Sequence, residues 1–391
     1  MMSHMPLGPW TRRGVAFSIS LVVSIALAEA VLQLVVGPPR ALGRLYFRDS
    51  SGEVVPVEGA HQESRRRGLS EDLPPDQTPP NRPRSRFAPG ARFFMCYEDA
   101  PRLDAAWLDE RGCVEVKINE FGLRERSDIR PDNKAADERR VVCIGDSFTF
   151  GWGIPEDLGW VRMLEGELRS THGNVRTVNC GASGALTVDE YEVGLRTRFG
   201  QFQPDLVIVS IYMNDLIASH GLCVLGSQPP TTGFLLLDYY RAATSPSALD
   251  LDPAQDWVSA ALGVTREDGE RSGLYGPDKP FEGMWSQGSP QRALASMLGW
   301  CEERKCMIVV VLWPFLQGLG PGRTYVFEGV HTMVATHCRE LGIPMLDLLP
   351  SLRAERQEVL WVTPQDMHAN PRAQKLALPA IAAFVRSNWK I

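Results

Sequence analysis

The chain has 391 residues, of which 44% are hydrophobic and 23% charged, and its formal net charge is -6. This composition is typical of a folded globular protein and excludes a wholly disordered chain. The balance of charge gives no global basic surface, so no nucleic-acid partner is predicted. The eight Cys are too sparse for a disulfide scaffold, and no Cys-x-x-Cys pair or compact Cys/His cluster indicates a metal site.

Residues 1–37 are predicted to be a membrane anchor or a signal segment. Arg12 and Arg13 precede an apolar run from Gly14 to Val36, which is long enough to cross a bilayer as a helix. The one charge in this run is Glu29, and the aliphatic side chains around it offset its cost of insertion. A signal peptide cleaved at 26–28 is the alternative, and a buried helix of a soluble protein is a third. Either leading interpretation exports the remaining chain to the periplasmic or extracellular side, anchored if the segment is retained and secreted if it is cleaved.

Two stretches of different character follow the apolar run. Residues 38–86 are predicted to be a linker, because they hold two Pro-Pro pairs, an Arg cluster and little apolar periodicity. Residues 87–136 are predicted to form a small β-rich module and a second linker, with strands at 92–95 and 114–118. Cys96 and Cys113 stand at the ends of the segment between these strands. They can close a disulfide in an exported domain or remain two thiols.

Residues 137–391 are predicted to form one α/β domain with an insertion at about 219–288, which is either a lid or a disordered loop. The predicted strands are 140–144, 175–178, 206–211, 307–312 and 344–346. The predicted helices are 158–168, 188–198, 291–303, 325–341 and 373–385. Strands that alternate with helices predict a parallel sheet covered on both faces, and ligands bind such sheets beyond the carboxyl ends of the strands.

Candidate catalytic residues follow several of these strands. Ser147 comes directly after a buried strand and near a helix start, where a nucleophile and an oxyanion are both favoured. Glycines follow the second strand, and Asn214 follows the third, where a side-chain amide can face an oxyanion. Near the C-terminus, His368 lies two residues from Asp366, so it can act as a base oriented by a carboxylate.

Four blocks in this order resemble the SGNH hydrolases, also called GDSL-like esterases and lipases. Gly145-Asp146-Ser147 matches the first block, 179–184 the second, Asn214-Asp215 the third, and Asp366 with His368 the fifth. The resemblance covers about residues 139 to 388. It implies a flavodoxin-like three-layer α/β/α sandwich, the SGNH hydrolase fold, preceded by a transmembrane helix and a small β-rich module.

The resemblance also implies roles for individual residues. Ser147 would attack an ester carbonyl, His368 would take its proton, and Asp366 would orient His368. The N–H groups of Ser147 and Gly184 and the amide of Asn214 would form the oxyanion hole, and no cofactor is needed.

The sequence departs from the family pattern in two places. Tyr212 replaces the usual Gly of the third block, which predicts a narrower pocket. Only Met367 separates Asp366 from His368, a shorter form similar to that of membrane-anchored and polysaccharide-modifying relatives. The segment 118–124 is similar to the small module that precedes the catalytic domain in anchored relatives.

The sequence therefore predicts an exported serine ester hydrolase that acts on O-acyl esters of a saccharide or envelope component. One alternative is an O-acyltransferase that passes the acyl group from Ser147 to a polysaccharide. Another is a catalytically weak module that binds carbohydrate or a partner protein. The sequence does not indicate an oligomeric state.

Overall fold

The computed structural model describes residues 9–36, 43–55, 60–80, 84–126, 128–182, 186–216, 233–244, 288–325 and 327–389. The chain divides into two compact units. The smaller unit consists of residues 1–41 and 227–247, and the larger unit consists of residues 42–226 and 248–391.

The secondary structure of the described residues is as follows. The strands are β1 (Leu45–Asp49), β2 (Val54–Val55), β3 (Ser70–Asp72), β4 (Ser85–Phe87), β5 (Arg92–Tyr97), β6 (Cys113–Lys117), β7 (Arg139–Gly145), β8 (Val175–Gly181), β9 (Leu206–Tyr212), β10 (Met307–Trp313), β11 (Met345–Asp347), β12 (Trp361–Thr363) and β13 (Asp366–Ala369). The helices are α1 (Pro9–Val31), α2 (Ala60–Arg66), α3 (Ser147–Phe150), α4 (Trp160–His172), α5 (Val188–Gly194), α6 (Leu235–Thr244), α7 (Ser289–Glu303), α8 (Glu328–Leu341), α9 (Leu349–Leu352) and α10 (Pro371–Asn388).

The larger unit is organised around a five-stranded parallel sheet with the order β11-β10-β9-β7-β8. Strands β9 and β10 consist almost entirely of apolar residues, and every residue of β9 is buried, as expected for a sheet covered on both faces. The order is that of flavodoxin-like doubly wound folds. The predicted α/β sandwich with a parallel sheet is confirmed.

The topology places a crevice beside β7. The chain leaves β7 through α4 to reach β8 on one side, and it returns through α5 to reach β9 on the other. Right-handed crossovers in opposite directions put α4 and α5 on opposite faces of the sheet. The carboxyl ends of β7 and β9 therefore border the switch point where ligands bind such sheets.

A smaller antiparallel sheet with the order β2-β1-β5-β6 precedes the parallel sheet. Its core includes Phe93, Met95 and Val116, together with Phe150 from helix α3, which follows β7. We call residues 43–126 of the larger unit the β-module. The aromatic ring of Phe150 joins the β-module to the helix that begins at Ser147.

The structure differs from the predicted linker at residues 38–86. Strand β1 lies here and pairs along its whole length with β5, while α2, β3 and β4 follow. Every residue of β1 is only half-buried, so the strand carries no alternation of apolar and polar residues that sequence reasoning can detect. Its conformation depends on pairing with a strand more than 40 residues away.

A disulfide joins Cys96 and Cys113. The two residues lie directly opposite each other on β5 and β6, and their Cα atoms are 4.0 Å apart. Of the two possibilities that the sequence left open, the structure has the bonded form. The bond fixes the end of β5, where Tyr97 follows Cys96.

The smaller unit contains α1 and α6. The segment Arg13–Val35 is long and apolar enough to cross a membrane, a property shared by anchors and signal segments. The carboxylate of Glu29 accepts hydrogen bonds from the backbone N–H groups of Leu235 (2.7 Å) and Leu236 (2.9 Å). This acid therefore caps the first turn of α6, where N–H groups have no partner within the helix.

The predicted insertion at 219–288 lies mostly outside the described residues. Its described part, 233–244, consists largely of α6, which is grouped with the N-terminal helix. Whether the insertion forms a lid stays a prediction.

Removing the disulfide is expected to destabilise the larger unit. Because the two Cys are 17 residues apart, replacing both by Ala should lower the free energy of unfolding by about 2–4 kcal/mol, through the greater freedom of the unfolded chain. Urea denaturation of the full chain in detergent measures the effect. Reductant should destabilise the wild type by a similar amount and leave the Cys96→Ala/Cys113→Ala variant unchanged. Equal stability of the variant and the oxidised wild type would contradict the prediction.

Candidate active site

The turn between β7 and α3 presents Ser147. Asp146 caps α3, because its Oδ1 atom accepts a hydrogen bond of 2.9 Å from the backbone N–H of Phe148. Gly145 permits a close approach of two strands: a Cβ atom there would lie 2.7 Å from the carbonyl oxygen of Ser210 and collide with Thr149. The sequence Gly-Asp-Ser thus closes the strand, caps the helix and places the hydroxyl at the switch point.

Arg124 of the β-module supports the other end of this helix. Its buried guanidinium donates to the carbonyl oxygens of Phe150 (3.3 Å), Gly151 and Ile154 (2.6 Å). A cation at a helix C-terminus satisfies carbonyls that have no partner within the helix. Burial lowers the pKa of Arg124 to about 10, so the side chain stays charged at neutral pH.

The predicted base and its carboxylate lie on the β12–β13 hairpin. Nδ1 of His368 is hydrogen-bonded to Oδ1 of Asp366, so the one-residue spacing does not turn the carboxylate away from the imidazole. The other oxygen of Asp366 accepts a hydrogen bond of 2.7 Å from the phenol of Tyr97 at the end of β5. Tyr97, Asp366 and His368 thus form a continuous hydrogen-bonded chain.

The imidazole lies close to the Ser147 turn. Its ring centroid is 6.0 Å from that of Phe148, the residue after Ser147, and 5.5 Å from that of Trp152. Within the described residues, the Ser147 hydroxyl donates to Oδ2 of Asp146 at 3.3 Å and does not hydrogen-bond to His368. Catalytic hydrogen bonds are often long or unformed in structures without substrate. Transfer of the proton to His368 requires the hydroxyl to turn from Asp146 toward the imidazole.

His368, Asp366 and Asp146 each affect the pKa of another member of this group. Partial burial opposes ionisation of His368, but the charge and hydrogen bond of Asp366 and the charge of Asp146 outweigh this effect and raise the pKa of the imidazole. Burial also opposes ionisation of Asp366, whereas His368 and the Tyr97 hydroxyl stabilise the carboxylate and lower its pKa. Burial raises the pKa of Asp146 to about 6, against the opposing effects of the Phe148 N–H and His368.

The predicted oxyanion hole is described only in part. The backbone N–H of Ser147 makes no hydrogen bond within the described residues, so it is available to a ligand. Asn214 lies in the 3₁₀ turn Met213–Leu216 after β9, and only its backbone is described. Gly184 lies outside the described residues. The roles of these three residues stay predictions.

Tyr212 packs in the core beside the site. Its ring stacks on Phe148 with centroids 4.0 Å apart and meets Phe315 edge-on at 5.1 Å. The aromatic residue that replaces the family's Gly therefore supports the residue next to Ser147.

Sequence reasoning assigned no role to Tyr97 or to the side chain of Arg124. Tyr97 is 269 residues from Asp366 in the chain, so no local spacing signals their contact. Arg124 lies in the segment that resembles the small module of anchored relatives. That resemblance indicated the region, but it did not predict the hydrogen bonds from Arg124 to the carbonyl groups at the end of α3.

Comparison with known proteins places this site in a family. The family model for GDSL-like lipase/acylhydrolase proteins matches residues 143–376. A search of curated proteins found no significant match.

Several solved structures are similar to the chain. A protein described as lipolytic and of the G-D-S-L family, from Desulfitobacterium hafniense, is 15% identical with a TM-score of 0.37, covering 63% of this chain and 98% of that one. TesA is 15% identical with a TM-score of 0.39, and the match covers 64% of this chain and 99% of that one. Axe2, an acetylxylan esterase from Geobacillus stearothermophilus, is 13% identical with a TM-score of 0.36, and the match covers 64% of this chain and 95% of that one. The matched family region includes the Ser147 turn and the His368 hairpin and extends over more than half of the 391 residues. The chain therefore belongs to the GDSL-like lipase/acylhydrolase family of SGNH hydrolases.

Proposed function

We propose that the chain is a membrane-tethered serine esterase whose catalytic groups are Ser147, His368 and Asp366. The hydrogen bond between His368 and Asp366 beside the Ser147 turn carries this proposal. A carboxylate that binds Nδ1–H holds the imidazole with Nε2 free to accept a proton. Membership of a family of ester hydrolases supports the same reaction class.

In the proposed mechanism, the Ser147 oxygen attacks the ester carbonyl carbon while Nε2 of His368 takes the hydroxyl proton. The negative charge on the carbonyl oxygen is stabilised by the N–H of Ser147, together with Gly184 and Asn214 as further proposed donors. The tetrahedral intermediate collapses, His368 returns the proton to the leaving alcohol, and an acyl-enzyme remains. Water then attacks the acyl carbon while His368 takes its proton. The second tetrahedral intermediate collapses, the bond to the Ser147 oxygen breaks, and His368 returns the proton to that oxygen as the acid leaves.

Hydrolysis is favoured over acyl transfer by the exposure of the base. The side chain of His368 is 32% exposed, so water can reach the group that must activate it. Acyl transfer to a sugar requires water to be kept from the acyl-enzyme.

The substrate is proposed to be an O-acyl ester of a saccharide or envelope component. An N-terminal helix long and apolar enough to cross a membrane supports a substrate outside the cytosol. The disulfide in the β-module fits an oxidising compartment outside the cytosol.

Replacing the nucleophile is expected to abolish turnover without unfolding the protein. Ser147→Ala should lower kcat for p-nitrophenyl acetate by a factor on the order of 10⁶, because no acyl-enzyme can form. Full-length protein in detergent is used with a fluorophosphonate probe, which should label the wild type alone. Ser170→Ala, which removes an exposed hydroxyl on α4, is the matched control and should keep both signals. Wild-type labelling of Ser147→Ala would refute the proposed nucleophile.

The pH dependence of kcat/KM is expected to report His368. The imidazole must be neutral to accept a proton, so activity should rise with pH through its pKa, which the two acids raise above its ordinary value of about 6.5. Asp366→Asn removes the nearer charge, so it should shift this rise to lower pH and also reduce kcat. A rise centred at or below pH 6.5 in the wild type, or an unshifted profile in the variant, would contradict His368 as the base.

A further inference from the structure

A cavity lies beside the Ser147 turn, on the side of strand β8. Its volume, measured as the space open to the centre of a water-sized sphere, is about 40 Å³. The ends of β7 and β8 contribute Gly145 and Gly181 to its wall, and Phe150 of α3 contributes a ring. Gly145 precedes Ser147 by two residues and Phe150 follows it by three, so part of the cavity wall comes from the chain segment that carries the proposed nucleophile.

Three arginines line this cavity, and two of them form ion pairs with acidic side chains. Arg84 is paired with Glu190, which also lines the cavity, and Arg86 is paired with Glu71 at 2.7 Å. Arg198 makes no ion pair or hydrogen bond with any described residue. Of the three guanidinium groups that line the cavity, that of Arg198 therefore has no ion-pair partner among the described residues.

The described residues packed around Arg198 leave its guanidinium without a hydrogen-bond acceptor. Its guanidinium carbon lies 4.6 Å from the centre of the Phe199 ring, and its Nε atom is buried without a hydrogen-bond acceptor. Burial and the nearby charge of Arg86 lower the pKa of Arg198 to about 10, so it remains charged at neutral pH. A partly buried cation without an anion destabilises a fold, and a bound anion removes that penalty.

We propose that this cavity binds an oxyanion of the substrate, a carboxylate or phosphate group, with Arg198 as its principal ligand. A guanidinium presents two parallel N–H groups that match the oxygens of either anion. Arg86, with Glu71 as its partner, adds positive potential. The assignment of the anion to the substrate rests on the proposed function, and it narrows the substrate class to acyl esters that carry a negative charge near the acylated position.

The test measures binding independently of catalysis. Full-length Ser147→Ala protein in detergent is titrated with glucuronate, with inorganic phosphate, and with glucose as the neutral counterpart of glucuronate. We expect at least one anion to bind and glucose not to bind. Adding Arg198→Gln should weaken anion binding about tenfold to a hundredfold, which is the scale of a charge-assisted hydrogen bond.

Arg196→Gln is the matched control. Arg196 lies two residues away in the same helical segment, is exposed and pairs with Glu192 at 2.7 Å, so its loss should leave binding unchanged. The Tm without ligand provides a second readout. Arg198→Gln should keep or raise the Tm, because it removes an unpaired charge, whereas a purely structural arginine would lower it.

Several results would overturn this assignment. They are failure of both anions to bind, equal binding by the Arg198→Gln and Arg196→Gln variants, and a marked fall in Tm for Arg198→Gln. Preference for glucuronate assigns a carboxylate, and preference for phosphate assigns a phosphate. If the wild type hydrolyses no ester but binds an anion through Arg198, the esterase proposal fails while the anion site stands.

Discussion

The carboxylate of Asp366 connects the two parts of the larger unit on which the proposed chemistry depends. One oxygen holds the imidazole of His368, and the other accepts the phenolic hydrogen of Tyr97 from the β-module. A buried carboxylate needs such partners, because burial alone would raise its pKa and neutralise it. The orientation and basicity of His368 therefore depend on a residue outside the parallel sheet.

The β-module contacts the segment of the proposed nucleophile as well as that of the proposed base. Arg124 holds the carbonyl groups at the end of α3, and the ring of Phe150 from the same helix lies in the core of the β-module. The disulfide bond of Cys96 fixes the end of strand β5, whose last residue is Tyr97. In physical terms the β-module is part of the framework of the proposed active site, since it contacts both segments that carry the proposed reacting groups.

The sequence predicts what depends on local order. Ser147 and His368 could be proposed as catalytic residues from the sequence, because the residues around each form a recognisable pattern and parallel strands bring their carboxyl ends to one edge of the sheet. Tyr97 and strand β1 were missed because their conformation and contacts depend on partners far away in the chain. The bonding of Cys96 depends on strand register, which spacing alone leaves open.

A double-mutant cycle between Tyr97 and Asp366 tests this dependence most directly. It compares kcat/KM for wild type, Tyr97→Phe, Asp366→Asn and the double variant, all full-length in detergent and checked for folding. If Tyr97 acts through Asp366, the two losses are not additive, and the double variant is about as active as Asp366→Asn alone, with a coupling energy of about 0.5–3 kcal/mol. Additive losses, or a Tyr97→Phe variant with wild-type activity, would contradict the account.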